Sequence, residues 1–241
     1  STLLEYYRQS QDRECLEDLY ETAMRQLELA AELKGKDGII GDLSPMGICF
    51  VDWNLELDKA ASAQGIYLYC LKDAIELARS FGDEKRAEAL EEEYNELTVV
   101  SRDYFMDPKT SVFVSGEKQQ ISWASQCWLI LGGAVDAKEG AHILERLKAM
   151  DADKISGMVS PYMRHVYVDA LIACGQMDDA LGALKEYWGA MADEGADTYW
   201  ELFNPENPHE SPYGGTIVNS YCHAWSCAPT YFLRKYYRDD L

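Results

Sequence analysis

Residues 160–192, SPYMRHVYVDALIACGQMDDALGALKEYWGAMA, contain two stretches rich in apolar residues and a short turn between them. We predict helices at Pro161–Ala173 and at residues 178–192, because apolar residues recur there at helical spacing. Pro161 stands at the start of the first helix, where its missing N–H has no cost. Gly175 and Gln176 connect the two helices. Successive helices joined by so short a link form an antiparallel hairpin.

The same pattern recurs along most of the chain. One face of a predicted helix at residues 11–33 carries Leu16, Leu19, Tyr20, Ala23, Leu27 and Ala30. Further helices are predicted at residues 59–81, 84–104, 119–131, 138–150 and 217–236. Strand signals are nearly absent, and only residues 112–114 suggest a short strand.

These helices indicate an all-α protein built of antiparallel hairpins. We expect them to form most of an (α/α)6 toroid, a closed ring of six hairpins, because aromatic residues and carboxylates gather in the loops between helices. Such a ring has twelve helices, so about four would be missing. The chain is therefore expected to be a single domain over residues 1–241 that is incomplete at its amino terminus. A solenoid of TPR or HEAT repeats is an alternative, disfavoured because no strict repeat period appears.

Acidic residues strongly outnumber basic ones, with 42 Asp and Glu against 22 Lys and Arg, so the formal net charge is −20. This charge repels phosphates and argues against nucleic acid or an anionic membrane as a partner. It suits a neutral ligand such as a sugar. No stretch approaches the apolar length of a membrane span.

The cysteines and histidines indicate neither disulfides nor a metal. Seven cysteines, an odd number without a CxxC pair, are expected to be mostly buried free thiols in a reducing, cytoplasmic compartment. The four histidines lack zinc-binding spacing, and no P-loop or GxGxxG motif occurs. We therefore expect no metal and no other cofactor.

The segment with the strongest candidates for catalysis is GADTYWELF, residues 195–203, in a long loop rich in proline and aromatic residues. Glu201 follows Trp200 directly, with Tyr199 and Phe203 nearby. A carboxylate held among aromatic side chains can retain a proton or activate water, and aromatic faces stack on sugar rings. The structural alternative is a Glu that caps or pairs within a loop.

Two further segments carry candidate residues. In NSYCHAWS, residues 219–226, His223 and Trp225 are two positions apart and would diverge on a helix. The structural alternative for His223 is a core histidine. In VDWN, residues 51–54, the aromatic Trp53 lies between the polar Asp52 and Asn54.

These three segments resemble parts of the family-78 glycoside hydrolases, the α-L-rhamnosidases. GADTYWELF followed by NSYCHAWSCAPTYFL, residues 219–233, is similar to the end of the family's catalytic domain, and VDWN is similar to its DW loop. Residues 160–171 and 175–191 resemble the helix pair before the catalytic loop. The resemblance covers nearly the whole chain.

The resemblance implies an (α/α)6 toroid and inverting hydrolysis of terminal α-L-rhamnosides. It implies that Glu201 is the general base, that His223 contacts the sugar, and that Trp53 lines the sugar pocket. The remaining candidates for substrate binding are their sequence neighbours Trp200, Trp225 and Asp52.

One part of the family pattern is missing. The family's general acid lies in an acidic motif, roughly DxxxERxxWxGD, and this motif does not occur in the 241 residues. We therefore expect either a fragment or a truncated, inactive relative. An open ring would expose apolar helix faces and favour self-association or docking with a missing amino-terminal segment.

Two other functions remain open as alternatives. A chain without its general acid could bind sugar without cleaving it, or act only as a scaffold. Another toroid enzyme, such as a different glycosidase or a sugar epimerase, is the third reading. An epimerase would need paired histidines as acid and base, and the spacing offers no clear pair.

Overall fold

The computed structural model of the chain describes residues 2–208, 210–211, 213–214 and 219–238. These ranges contain nine α-helices and three 3₁₀ turns, but no named strand. The prediction of an all-α protein is confirmed. The helices are α1 (Thr2–Ser10), α2 (Arg13–Ala31), α3 (Ala60–Phe81), α4 (Glu84–Phe105), α5 (Trp123–Gly132), α6 (Ala137–Ala149), α7 (Pro161–Ala173), α8 (Met177–Asp193) and α9 (Ala228–Tyr236).

Most predicted helix boundaries agree with the structure, with identifiable exceptions. Helix α1 was not predicted; its nine residues are too few to show a repeated apolar pattern. Helix α2 starts later than predicted, after Asp12 caps it by accepting the Cys15 N–H at 3.0 Å. In the same way α5 starts after Ser122, whose side chain accepts the Ser125 N–H.

The last predicted helix, residues 217–236, is wrong over much of its length. Residues 217 and 218 lie outside the described ranges, and residues 219–223 are not helical. Helix α9 starts only at Ala228, with Pro229 in its first turn. The suggested strand at residues 112–114 is reduced to an isolated bridge between Met106 and Phe113.

The helices form two layers. Along α1, α3, α5 and α7, each odd-numbered helix contacts the next odd-numbered one, as inner helices of a ring do. Each even-numbered helix from α2 to α8 packs against the odd-numbered helix before it. This alternation of inner and outer helices is the arrangement of an α/α toroid and confirms the predicted fold class.

Two glycines allow α3 and α5 to approach until their backbones touch. A Cβ atom on Gly65 would lie 2.4 Å from the Trp128 carbonyl carbon, and one on Gly132 would lie 2.8 Å from the Gly65 carbonyl oxygen. Neither backbone could accommodate a methyl group without moving. Glycine at these positions therefore sets the spacing between two inner helices.

The seven cysteines are free thiols, but their burial differs from the prediction. Only Cys127 is buried, whereas Cys222 and Cys227 are exposed. Both exposed thiols lie in or beside a loop that was expected to be a helix, and the other four, Cys15, Cys49, Cys70 and Cys174, are partly buried. No helix within the described ranges is long and apolar enough to cross a membrane.

His165 lies on α7 and is partly buried. Its ring packs 4.7 Å from the Phe232 ring and 5.9 Å from the Tyr231 ring, both on α9. Burial lowers the pKa of His165 from 6.5 to about 4, because the charged imidazolium is poorly solvated there. The side chain is therefore neutral in the folded protein at neutral pH.

Replacing Gly65 by Ala should destabilise the fold by about 1–3 kcal/mol, because the added methyl group overlaps the α5 backbone. The matched control is Gly182→Ala in α8, where a Cβ atom meets nothing within 4 Å. The control should be neutral or up to about 1 kcal/mol more stable. Urea unfolding measures both, and equal stability of Gly65→Ala and wild type would refute the close contact.

His165 should make the protein less stable as the pH falls from 7 to 5, because its surroundings lower its pKa. The unfolded chain takes up a proton near pH 6.5, whereas the folded chain resists protonation down to about pH 4. The free energy of unfolding therefore falls by about 2 kcal/mol between pH 7 and pH 5. Urea unfolding of His165→Leu at both pH values should lose that part of the pH dependence, whereas His142→Gln, at an exposed position, should keep it.

Candidate active site

Two of the segments singled out in the sequence lie side by side through backbone hydrogen bonds. The Glu201 N–H donates to the Ser220 carbonyl oxygen at 2.8 Å, and the His223 N–H donates to the Tyr199 carbonyl oxygen at 2.7 Å. These bonds hold residues 220–223 against residues 199–201. The Glu201 and His223 segments therefore belong to one structural unit.

Side chains reinforce this pairing. The Trp225 indole Nε1–H donates to the Glu201 carbonyl oxygen at 2.9 Å, and the Ser226 hydroxyl donates to the Trp200 carbonyl oxygen at 2.5 Å. The Ser226 carbonyl oxygen in turn accepts the Trp188 Nε1–H at 2.9 Å. Helix α8, which carries Trp188, thereby anchors both loops.

The prediction that His223 and Trp225 diverge on a helix is wrong. Ala224–Ser226 is a single 3₁₀ turn, and the two rings lie 4.5 Å apart between centroids. The His223 Nδ1 atom accepts the Trp225 backbone N–H at 3.4 Å. A neutral imidazole that accepts at Nδ1 carries its proton on Nε2, which is then a donor.

Glu201 is buried, with 6% of its surface exposed, and both carboxylate oxygens have partners. Oε1 accepts the Tyr213 hydroxyl at 2.6 Å, and Oε2 accepts the Ser220 backbone N–H at 3.0 Å. The hydrogen bond to Glu201 raises the pKa of Tyr213, so Tyr213 remains a donor at neutral pH. Two donors on different oxygens fix the plane of the carboxylate.

Asp52 ties the Trp53 loop to the start of α7. Its Oδ1 atom accepts the backbone N–H groups of Trp53 at 2.9 Å and Ser160 at 2.8 Å, and its Oδ2 atom accepts that of Val159 at 2.8 Å. Asn54 adds a bond from Nδ2 to the Ser156 hydroxyl at 2.9 Å. The buried Asp52 thus fixes the position of the neighbouring Trp53.

Aromatic rings surround the unit that the Glu201 and His223 segments form. The Trp53 ring lies 6.5 Å from Trp225 at an interplanar angle of 72°, and 5.5 Å from Tyr213 at 79°. Further rings packed on Trp225 are those of Phe50 and Tyr162. Four predicted site residues, from three separate segments, are therefore brought together: Trp53, Glu201, His223 and Trp225.

Trp200 takes a different position from the other candidates. It is buried, and its ring packs edge-on against Phe203 at 5.9 Å and Tyr221 at 5.2 Å. Its backbone carbonyl is held by Ser226. The side chain belongs to the hydrophobic core beneath the site.

Several residues of the site carry no individual signal in the sequence. Tyr213 lies in the long loop rich in proline and aromatic residues. No sequence pattern indicates that its hydroxyl donates to Glu201. Ser220 acts through its backbone N–H, which no side-chain pattern reveals. Phe50 and Tyr162 join the aromatic group only through the fold.

The described histidines lie in separate places. His142 is exposed on α6, His165 is partly buried on α7, and His223 is at the site, while His209 lies outside the described residues. Among the residues that the structure describes, no group of three or more His, Cys, Asp or Glu could hold a metal ion.

Comparison with protein families gives one match that spans nearly the whole chain. The model of the bacterial α-L-rhamnosidase six-hairpin glycosidase domain matches residues 2–237. No curated protein matches the chain.

Solved structures of rhamnosidases share the fold. A rhamnosidase from Klebsiella oxytoca with rhamnose bound is 40% identical, with a TM-score of 0.90 over 97% of this chain and 45% of its own. A family-78 rhamnosidase of Bacillus sp. GL1 is 21% identical, with a TM-score of 0.81 over 97% of this chain and 25% of its own. A Streptomyces avermitilis α-L-rhamnosidase complexed with L-rhamnose is 17% identical, with a TM-score of 0.64 over 94% of this chain and 22% of its own.

The last two similarities concern the fold alone, because the identities are low. The chain spans less than half the length of each of these structures. The match over residues 2–237 and the 40% identity confirm the family resemblance drawn from the sequence. The chain belongs to the bacterial α-L-rhamnosidase six-hairpin glycosidase domain family.

Proposed function

We propose that the chain is part of an inverting α-L-rhamnosidase in which Glu201 is the general base. The observation that carries this proposal is the Glu201 carboxylate, which is buried and fixed by a donor on each oxygen, one of them Tyr213, whose ring packs on Trp53. A fixed, ionised carboxylate can remove a proton from a water molecule as that water attacks the sugar. The rhamnose bound in the Klebsiella relative supports rhamnose as the sugar.

The aromatic and imidazole groups would recognise the sugar. Trp53 and Trp225 meet at a steep angle, so they can line two sides of a small ring. The Nε2 proton of His223 is a donor suited to a sugar hydroxyl. The sugar contacts predicted for Asp52 and Trp200 stay predictions, and the structure gives both residues partners within the protein.

The general acid is proposed to come from outside these 241 residues. Asp52, the other buried carboxylate close to Trp53, accepts three backbone N–H bonds and ties two loops together. That arrangement suits a structural role better than proton delivery to a leaving group. The proposed single domain would then be completed by further helices of the ring.

The seven free thiols support the predicted reducing compartment.

An apolar groove supports the predicted docking or self-association. A cavity of about 470 Å³ lies between α2, α3 and the loop before α3, and its lining includes Met24, Leu27, Ile66 and Phe50. Ile48, at the edge of this groove, is 85% exposed. Apolar surface of this kind is suited to cover by another helix.

Hydrolysis of an aryl α-L-rhamnoside with a strongly activated leaving group tests the role of Glu201. Such a group departs with little help from an acid, so the assay depends on the base and the pocket. Glu201→Gln should lower kcat at least ~100-fold, within the usual contribution of a general base. The control Glu206→Gln, an exposed carboxylate on the same loop, should retain wild-type turnover.

The same assay discriminates between the proposal and its alternative. Turnover that survives in Glu201→Gln would exclude Glu201 as the base. Rhamnose binding without any wild-type turnover, unchanged in Glu201→Gln, would instead indicate a sugar-binding domain that does not cleave its ligand. Calorimetric titration with L-rhamnose provides that binding measurement.

A further inference from the structure

Tyr213 is the side chain most directly joined to the carboxylate of Glu201. Its hydroxyl donates to Oε1 at 2.6 Å, a short bond typical of an ionised acceptor. On the other oxygen, Oε2 accepts only a backbone N–H, from Ser220. Tyr213 is therefore the one side-chain donor to this carboxylate among the described residues.

The torsion about the last bond of a Glu side chain is intrinsically broad, so a carboxylate rotates easily unless it is held. One donor at Oε2 leaves rotation about that contact possible. A second donor at Oε1 stops it. The Tyr213 hydroxyl and the Ser220 N–H together define one orientation of the carboxylate plane.

The ring of Tyr213 is itself located by the site. It stands edge-on to Trp53, with the centroids 5.5 Å apart, while 51% of the residue is exposed. The hydroxyl reaches inward to Glu201 while the ring borders solvent. Tyr213 thus links the wall of the proposed sugar pocket to the proposed base.

We propose that Tyr213 is a positioning residue for the base, and that it holds the Glu201 carboxylate in the orientation from which it takes a proton from water. This inference rests on the proposed function of Glu201. A carboxylate oxygen has two lone pairs, so Oε1 can accept the Tyr213 hydroxyl and still bind a water molecule. Correct orientation of a catalytic group contributes strongly to rate.

Tyr213→Phe tests the hydroxyl alone, because the ring and its contact with Trp53 are kept. With the activated aryl rhamnoside, kcat should fall about tenfold while KM changes less than about twofold. The control Tyr104→Phe, on α4 and 61% exposed, should change neither quantity.

A crystal structure of Tyr213→Phe gives a second result that does not depend on turnover. We expect the Glu201 carboxylate to rotate or to occupy several orientations. A carboxylate in its original plane, together with an unchanged kcat, would overturn the positioning role. If the wild type shows no turnover, the proposed function fails. The crystal structure of the variant then decides separately whether Tyr213 holds the orientation of the Glu201 carboxylate.

Discussion

The close crossing of α3 and α5 is the constraint on which the rest of the molecule depends. Gly65 and Gly132 let the two backbones touch, so these inner helices can share one narrow ring. Their preceding loops then meet at the same end. Ser156 links them, since its N–H donates to the Ile121 carbonyl oxygen at 2.8 Å and its hydroxyl accepts from Asn54. The contact between the α3 and α5 backbones thereby places the loop before α3, which carries Trp53, beside the start of α7.

The site is built on this frame from loops whose backbone groups are paired with one another. Tyr199 and Glu201 are bonded to His223 and Ser220, and Trp188 fixes the turn that carries Trp225. Buried polar groups of this kind are costly unless they are satisfied, so the pairing stabilises residues 199–201 against residues 220–226. The result is a carboxylate with little freedom, which is the property that a general base requires.

The sequence sufficed for the helical layers because they depend on local periodicity. It also led to Glu201, Trp53 and His223, through their motifs. It failed for residues 219–226, where the deciding bonds join Trp225 to Glu201 and Ser226 to Trp200, 24 and 26 positions apart. Local periodicity carries no information on such contacts. The partnership of Tyr213 with Glu201 was hidden for the same reason.

A base that activates water for a single displacement inverts the anomeric carbon, so the stereochemistry of the first product decides whether Glu201 acts in this way. Proton NMR can follow the anomeric signal of rhamnose during rapid hydrolysis of an activated aryl α-L-rhamnoside. If Glu201 is the general base, β-L-rhamnose appears first and then converts slowly to the equilibrium mixture. Appearance of the α-anomer first would mean a covalent intermediate and would contradict the role of Glu201 as a general base.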